Sequence, residues 1–316
     1  MKRAIVVGCE GQDGRLLTGL LMRKKYEVLS IDKGIARSTG RLRFKAVDIS
    51  SAKDVRQAVK RFRPDEIYYL AAFHHSSEDA PIENLELSAQ SYKVNVFSLI
   101  NFLEAIKEAS PATRLFYAAS SHIFGNARSR IQDENTPINP VSIYGITKAA
   151  GLFICRFYRE RYSVFVSAGI LYNHESSLRG EKFISRKIIK GAMDIRKGRR
   201  KKIVLGDLSS TEDFGYAPDY VEAMHKILNI ADSGDFIIAT GKGHSVLDFV
   251  KVTFGFLGLD WKQHVREDRR VLARQRYHLI GNPAKLRSMT SWKPSVDFRG
   301  MIRLLLAEEG FLGNER

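Results

Sequence analysis

Cysteine is almost missing: Cys9 and Cys155 are the two in 316 residues, beside two tryptophans and eight prolines. Two thiols cannot build a disulfide framework, and neither stands in metal-ligand spacing, so no metal is expected and a reducing cytoplasm is the expected compartment. No apolar run reaches the length of a membrane span. The opening Met1-Lys2-Arg3-Ala4-Ile5-Val6-Val7-Gly8 has too short an apolar stretch for a signal peptide and runs straight into a structural motif. Repeats, low-complexity tracts and flexible linkers are also lacking. Carboxylates are in deficit: 35 Asp plus Glu against 51 Lys plus Arg leave a net charge of +16. That excess asks for an anionic partner, whether nucleic acid, acidic membrane or a phosphate-bearing small molecule. The densest basic run, Arg196 to Lys202, reads as a solvated loop between a helix and a strand. With no helix-turn-helix, zinc module or interleaved aromatic stretch, nucleic acid is not the expected partner.

What is present is an ordinary globular composition, 44% hydrophobic and 27% charged, in a chain long enough for about two domains. Residues 4 to 7 read as a buried strand, Gly8-Cys9-Glu10-Gly11-Gln12-Asp13-Gly14 as a turn, and Leu16, Leu17, Leu20 and Leu21 as the apolar face of the helix that follows. Strand, glycine turn and helix together suit a pyrophosphate. The glycines let backbone approach it, and the helix N-terminus offers unpaired N–H groups. The second strand, Val28 to Ile31, ends in Asp32, where an acid accepts from a ribose diol and repels a 2′-phosphate. NAD is therefore favoured, while Lys33 and Arg37 keep NADP open.

A strand over Phe44 to Val47 leads to Asp48-Ile49, a candidate adenine contact, and Glu66 to Ala72 reads as a fourth strand. The small residues after Leu70, Ala71 and Ala72, would admit a cofactor close to the backbone. A polar loop from Phe73 to about Leu85, a helix through Val94, Phe97, Ile100 and Leu103, and strands at Leu115 to Ala119 and Val164 to Leu171 continue the alternation. This pattern predicts an α/β fold with a doubly wound parallel sheet and ligands at the carboxyl ends of its strands. Past Tyr172 the alternation fades. Helices near 183–195, 219–230 and 247–257, with strands at 203–205 and 236–239, suggest a smaller C-terminal lobe interleaved with the last sheet elements. The expected division is 1–172, with later sheet elements near 214–241, for the dinucleotide, and 173–213 with 242–316 for the substrate.

Tyr144 and Lys148 lie four apart on a predicted helix and so share a face. A nearby ammonium favours the phenolate and would bring the tyrosine down from about 10, as an acid/base exchanging a proton with a substrate hydroxyl needs. Ser120, at the end of another strand, can hold that hydroxyl. This set reads as a hydride-transfer site.

The whole run resembles the extended short-chain dehydrogenase/reductase family and, within it, the GDP-mannose 4,6-dehydratases. The resemblance is carried by Gly8 to Gly14, Pro64-Asp65-Glu66-Ile67-Tyr68, Tyr144 with Lys148, Asn173-His174-Glu175-Ser176, Arg179-Gly180-Glu181, Arg186-Lys187-Ile188, Asp219 to Met224, and Ile238-Ala239-Thr240-Gly241 with His244-Ser245-Val246. It implies a Rossmann fold, a resident nicotinamide dinucleotide, a nucleotide-diphosphate sugar as substrate and a homodimer or homotetramer. It implies C4 oxidation, water loss across C5 and C6, and hydride return to C6, with Ser120, His122, Tyr144 and Lys148 as catalytic residues. Cofactor contacts carried over by position are Gly8, Gly11, Gln12, Asp13, Gly14, Asp32, Lys33, Asp48, Ile49, Leu70, Ala71, Ala72, His74, Asn95, Tyr144, Lys148, His174 and Arg179. Substrate contacts are Ser120, Asn173, Lys182, Arg186, Lys187 and Arg274.

The departures are specific. Ser120 stands for a threonine, His122 for the glutamate that takes the C5 proton, and Glu212 for an arginine that meets substrate phosphate. Asp32 with Lys33 replaces an arginine pair that favours NADP. An imidazole can take a proton near pH 7, so elimination stays open; the alternative is a His122 that only packs. A 4-keto-sugar reductase or an epimerase keeps Tyr144, Lys148 and Ser120 without elimination. An inactive dinucleotide-binding sensor or scaffold is the alternative from another class.

Overall fold

Ala4 to Val7, Ile67 to Tyr69 and Leu115 to Tyr117 are buried throughout. Continuous apolar strands of this kind belong inside a parallel sheet covered by helices on both faces. The computed structural model describes residues 1–33, 38–73, 85–268, 270 and 279–311, with backbone alone at 38 and 39. In chain order the strands are β1 (Arg3–Val7), β2 (Glu27–Asp32), β3 (Ser38–Thr39), β4 (Leu42–Ala46), β5 (Glu66–Tyr69), β6 (Arg114–Ser120), β7 (Val166–Leu171), β8 (Asn173–Glu175), β9 (Ile203–Leu205), β10 (Thr211–Tyr216), β11 (Asp235–Ile238), β12 (Gly243–Ser245) and β13 (Val265–Glu267).

The main sheet runs β11-β7-β6-β5-β1-β2-β4-β3. Its neighbours are parallel except for β3, which lies antiparallel to β4. The chain moves outward from β1 through β2 and β4, then returns to the far side of β1 as β5. Strand order therefore reverses between β1 and β5, and the crevice at their carboxyl ends is where such a sheet takes a ligand. Val7 sits between Ile31 and Tyr69 at that reversal. This is the doubly wound parallel sheet expected from the sequence.

Helices Ala52–Phe62, Ser98–Ala109 and Ile143–Tyr162 cover one face through Val55, Phe102 and Leu152. Gln12–Arg23 and Ala217–Leu228 cover the other through Leu17, Leu21 and Met224. A third core joins Ile184–Arg196, Val246–Phe256 and Phe298–Glu308 through Ile188, Phe249 and Leu305. No helix among the described residues is long and apolar enough to cross a membrane.

Several element ends differ from expectation. The fourth strand stops at Tyr69 rather than Ala72, and the one expected at Phe44 to Val47 spans Leu42–Ala46. The helix through Val94 and Leu103 is present, but Lys93–Phe97 winds in the wider π form between two α segments. A sheet ordered β12-β10-β8 was not expected. Its outer strands read Asn-His-Glu and Gly-His-Ser, with no apolar alternation for periodicity to detect. At the β11 edge of the main sheet, Ile237 N–H donates to Glu134 Oε1 at 2.8 Å. Beside it, Lys285 Nζ donates to the Asp235 carbonyl at 2.8 Å.

The Ile143–Tyr162 helix is the element the site depends on. Ser142 caps it, its Oγ accepting from Gly145 N–H at 3.1 Å. A glycine within it, Gly151, lets it lie against β6, since a Cβ there would stand 2.2 Å from the buried Tyr117 Oη. Alanine for glycine in a free helix gains about 1 kcal/mol. Here the clash reverses the sign: Gly151→Ala is expected to lose about 1–3 kcal/mol in urea unfolding, and a gain would show that the helix does not press on β6.

Candidate active site

The glycine turn is built by close approach. Gly8 has φ +86°, and a Cβ on it would lie 2.7 Å from Ala71 N; one on Gly14 would lie 2.2 Å from the Gly8 carbonyl. Gly11 has ordinary room but is the N-cap of the Gln12–Arg23 helix, with no side chain to accept from the first turn. The first N–H groups of that helix have no partner within it. The glycines thus let the turn pack closely on the residues after β5 and on the start of the helix, whose free N–H groups fit a dinucleotide pyrophosphate. Asp32, at the end of β2, accepts from Glu10 N–H at 3.0 Å and Lys33 N–H at 2.8 Å. A carboxylate has further lone pairs for ribose hydroxyls. Leu70, Ala71 and Ala72 follow β5 along the same crevice, Leu70 N–H bonding the Val7 carbonyl at 2.9 Å. Asp48 is exposed and held below the usual carboxylate range by the Ser50 hydroxyl and N–H. The Ile49 carbonyl is taken by Asn101 at 2.9 Å.

Ser120 ends β6, and its Oγ accepts from His122 N–H at 3.3 Å. It also bonds the Tyr144 side chain. His122 is exposed in the turn after β6, its ring edge-on to Tyr144 with centroids 5.6 Å apart. Lys148 is 1% exposed, and its Nζ donates to the Ala118 carbonyl at 2.8 Å while lying 5.8 Å from the Tyr144 ring centre. The sequence therefore found four groups that the fold brings to one strand end. Their electrostatics differ from expectation. Burial pushes Tyr144 up to about 12, opposed by the Ser120 hydrogen bond and the Arg179 charge. Burial drives Lys148 down to about 7. In the protein alone, then, the phenol is neutral near pH 7 and the ammonium is close to losing its proton.

His174 follows Tyr172 into β8 and meets the glycine turn: Nε2 lies 2.9 Å from Asp13 Oδ2, and Nδ1 lies 2.7 Å from the Tyr172 carbonyl. Gln12 and Arg179 both donate to the His174 carbonyl, at 3.1 Å and 2.6 Å. Gln12, Asp13, His174 and Arg179 thus form one group beside the crevice. Asn95 does not join it. It is fully buried, taking Phe73 N–H at 2.9 Å and donating to Thr147 Oγ1 at 2.9 Å. It braces the loop after β5 against the Tyr144 helix. Sequence reading passed over Thr147 and Ser142, although a serine three before a glycine at a helix start is a readable cap.

The substrate set is scattered. The Asn173 amide is hydrogen-bonded to Glu212 across β8 and β10. Arg186 is turned to Glu309, at 2.6 Å, beyond the end of the Phe298–Glu308 helix. Lys182 is exposed and Lys187 half-buried near the start of the Ile184–Arg196 helix. His74 and Arg274 lie outside the described residues. A carboxylate the sequence did not flag, Asp213, is buried beside Glu212 and pushed up to about 6 by burial. It accepts from Thr240 N–H and Oγ1 and from Gly241 N–H at 2.7–2.9 Å.

The chain is 34% identical to GDP-mannose 4,6 dehydratase 1 of Arabidopsis thaliana, over 98% of this chain and 90% of that protein. It is 29% identical to the GDP-mannose 4,6-dehydratase of Vibrio cholerae, over 98% and 94%. Among solved structures it superposes on a dTDP-glucose 4,6-dehydratase of Bacillus anthracis in complex with NAD, with TM-score 0.83 at 17% identity over 97% and 96% of the two chains. It also superposes on a UDP-glucose 4-epimerase of Thermus thermophilus in complex with NAD, with TM-score 0.81 at 22% identity over 98% of this chain and 99% of that one. The family model for GDP-mannose 4,6 dehydratase matches residues 5–305, and the chain belongs to that family.

Proposed function

We propose that the chain is an NAD(P)-dependent nucleotide-sugar 4,6-dehydratase acting on a GDP-linked hexose. The observation that carries this reading is Tyr144 bonded to Ser120 and backed by Lys148, at the carboxyl end of β6 beside the glycine turn. Gly8, Gly11 and Gly14 would hold the pyrophosphate and Asp32 the adenosine ribose, which favours NAD. The nicotinamide, when bound, supplies the hydride acceptor for C4 and the donor for C6 and, oxidised, a positive charge that favours the Tyr144 phenolate.

Tyr144 Oη takes the proton of the sugar 4-hydroxyl while Ser120 Oγ keeps that hydroxyl oriented. The resulting C4 ketone acidifies the proton on C5. His122 stands exposed next to Tyr144, and its imidazole takes the C5 proton and later returns one. Hydroxide leaves C6 and, with the proton from the 4-hydroxyl, makes up one water. Residues 173–213 and 242–316 form the lobe that holds the nucleotide, with Asn173, Lys182 and Lys187 its candidate polar contacts.

A reducing cytoplasm, where unpaired thiols such as Cys9 and Cys155 persist, is the proposed compartment. Ile146, Phe153 and Phe157 form an exposed apolar stripe on the Tyr144 helix, with exposed Phe97 on the neighbouring π turn. A second copy of the chain packs on this face in the proposed homodimer.

Four outcomes test this reading. Tyr144→Phe is expected to lower turnover of GDP-mannose by about a thousandfold or more while leaving NAD binding nearly intact; unchanged turnover would refute its role. The product must lose one water with no net cofactor oxidation. A product of unchanged mass identifies an epimerase, and NAD(P)H consumption identifies a reductase. His122→Ala is expected to suppress solvent deuterium uptake at C5 more than hydride transfer, and normal uptake would reduce His122 to packing. Phe157→Glu is expected to shift the protein to monomer in sedimentation, and an unshifted dimer would place the interface elsewhere.

A further inference from the structure

We propose that His174 is a fixed cationic counter-charge to Asp13, a positioning residue that keeps the glycine turn electrically neutral so that it can retain a dinucleotide diphosphate. The inference rests on the dinucleotide-binding reading given above. Asp13 lies in the first turn of the Gln12–Arg23 helix. An acid there suits the helix dipole, yet it stands where an incoming diphosphate would be repelled.

The geometry around His174 resolves that conflict. Nδ1 faces the Tyr172 carbonyl at 2.7 Å, while Nε2 faces both Asp13 oxygens at 2.9 Å and 3.0 Å. A carbonyl has no proton to give, so Nδ1 must donate. A neutral ring would then turn a lone pair toward a carboxylate, so with Asp13 ionised only imidazolium satisfies both contacts. Burial opposes charge on either group, but their attraction and hydrogen bond outweigh it, raising His174 and lowering Asp13.

Every element packed on the ring is consistent with this assignment. Tyr220, from the Ala217–Leu228 helix, stacks on it at 4.6 Å and is held neutral by burial, as is Tyr172 on the chain leading in. Arg179 opposes the ring's charge but bonds its carbonyl, and its own charge is met by Glu175 at 3.3 Å. Gln12 links the same carbonyl to Asp13 Oδ1, at 3.1 Å to each. The brace thus ties β8 to the turn through one ion pair and a shared amide.

The pH dependence follows in sign. His174 is fully charged below the ordinary histidine value of about 6.5 and loses its proton only as pH rises through its raised folded-state value. Asp13 stays ionised until pH falls through its lowered one. Dinucleotide affinity is therefore highest below the raised His174 value and declines as pH rises through it.

The test is calorimetric titration of the whole protein with NAD between about pH 6 and about pH 10, for wild type, His174→Gln, Asp13→Asn and the double variant. His174→Gln is expected to weaken binding at neutral pH by about tenfold or more and to remove the alkaline decline. The double variant is expected to recover most of the loss, because it deletes the uncompensated acid along with its partner. A double variant as weak as His174→Gln, or a His174→Gln that binds like wild type, overturns the proposal. Should His174→Gln fail to fold, nitrogen-detected NMR of the wild-type ring decides: two protonated nitrogens at neutral pH support it, and one overturns it. A wild-type protein that binds no dinucleotide overturns the functional reading as well, which separates that failure from failure of the counter-charge alone.

Discussion

The Lys148 ammonium, buried against the Ala118 carbonyl at 2.8 Å, is the constraint from which the site's geometry follows. An ion removed from water without a counter-ion costs several kcal/mol even after relaxation. The fold meets that cost in part with a carbonyl and in part by letting the group approach neutrality. Ala118, whose carbonyl holds Lys148, lies two before Ser120 on β6, and Tyr144 lies four before Lys148 on the helix. Fixing the lysine to one end of this square therefore sets the tyrosine against the serine at the other. Other features serve the same square: Gly151 admits the helix to Tyr117, Ser142 caps its first turn, and Asn95 fastens Thr147 to the loop after β5.

Charge is the second organising quantity. A chain of net charge +16 can be expected to surround an anionic substrate with free cations, yet near the crevice they are mostly committed. Arg179 is paired with Glu175, and Arg186 with Glu309. Glu212 bonds Asn173 where the resemblance led us to expect an arginine. The β12-β10-β8 sheet makes this possible by placing Asn173, Glu212 and Asp213 on adjoining strands.

The sheet and its parallel sense were legible because they are written in strong periodic patterns and in a strand, a glycine turn and a helix in succession. Tyr144, Lys148 and Ser120 were legible for a related reason: helix and strand spacings fix which side chains share a face. Ionisation was not. Four-residue spacing says that an ammonium is near a phenol, but the direction of both shifts depends on burial, which only the packed core determines. The tie from Asn95 to Thr147 was not legible, because a polar residue between Val94 and Val96 gives no sign of which side chain it will meet. The pairing of Arg186 was not legible because Glu309 lies 123 positions away in sequence.

The treatment of the β11 edge carries a different implication. An outer strand of a parallel sheet offers a ladder of unanswered amides and carbonyls to any extended polypeptide that drifts past. Here a glutamate side chain occupies an amide of that ladder and a lysine occupies a carbonyl, while two arginines crowd the Asp235 carboxylate. Such a rim is a poor template for a foreign strand. The protein can thus hold a large, apolar, slowly assembled sheet and still resist fibrillar association along that margin.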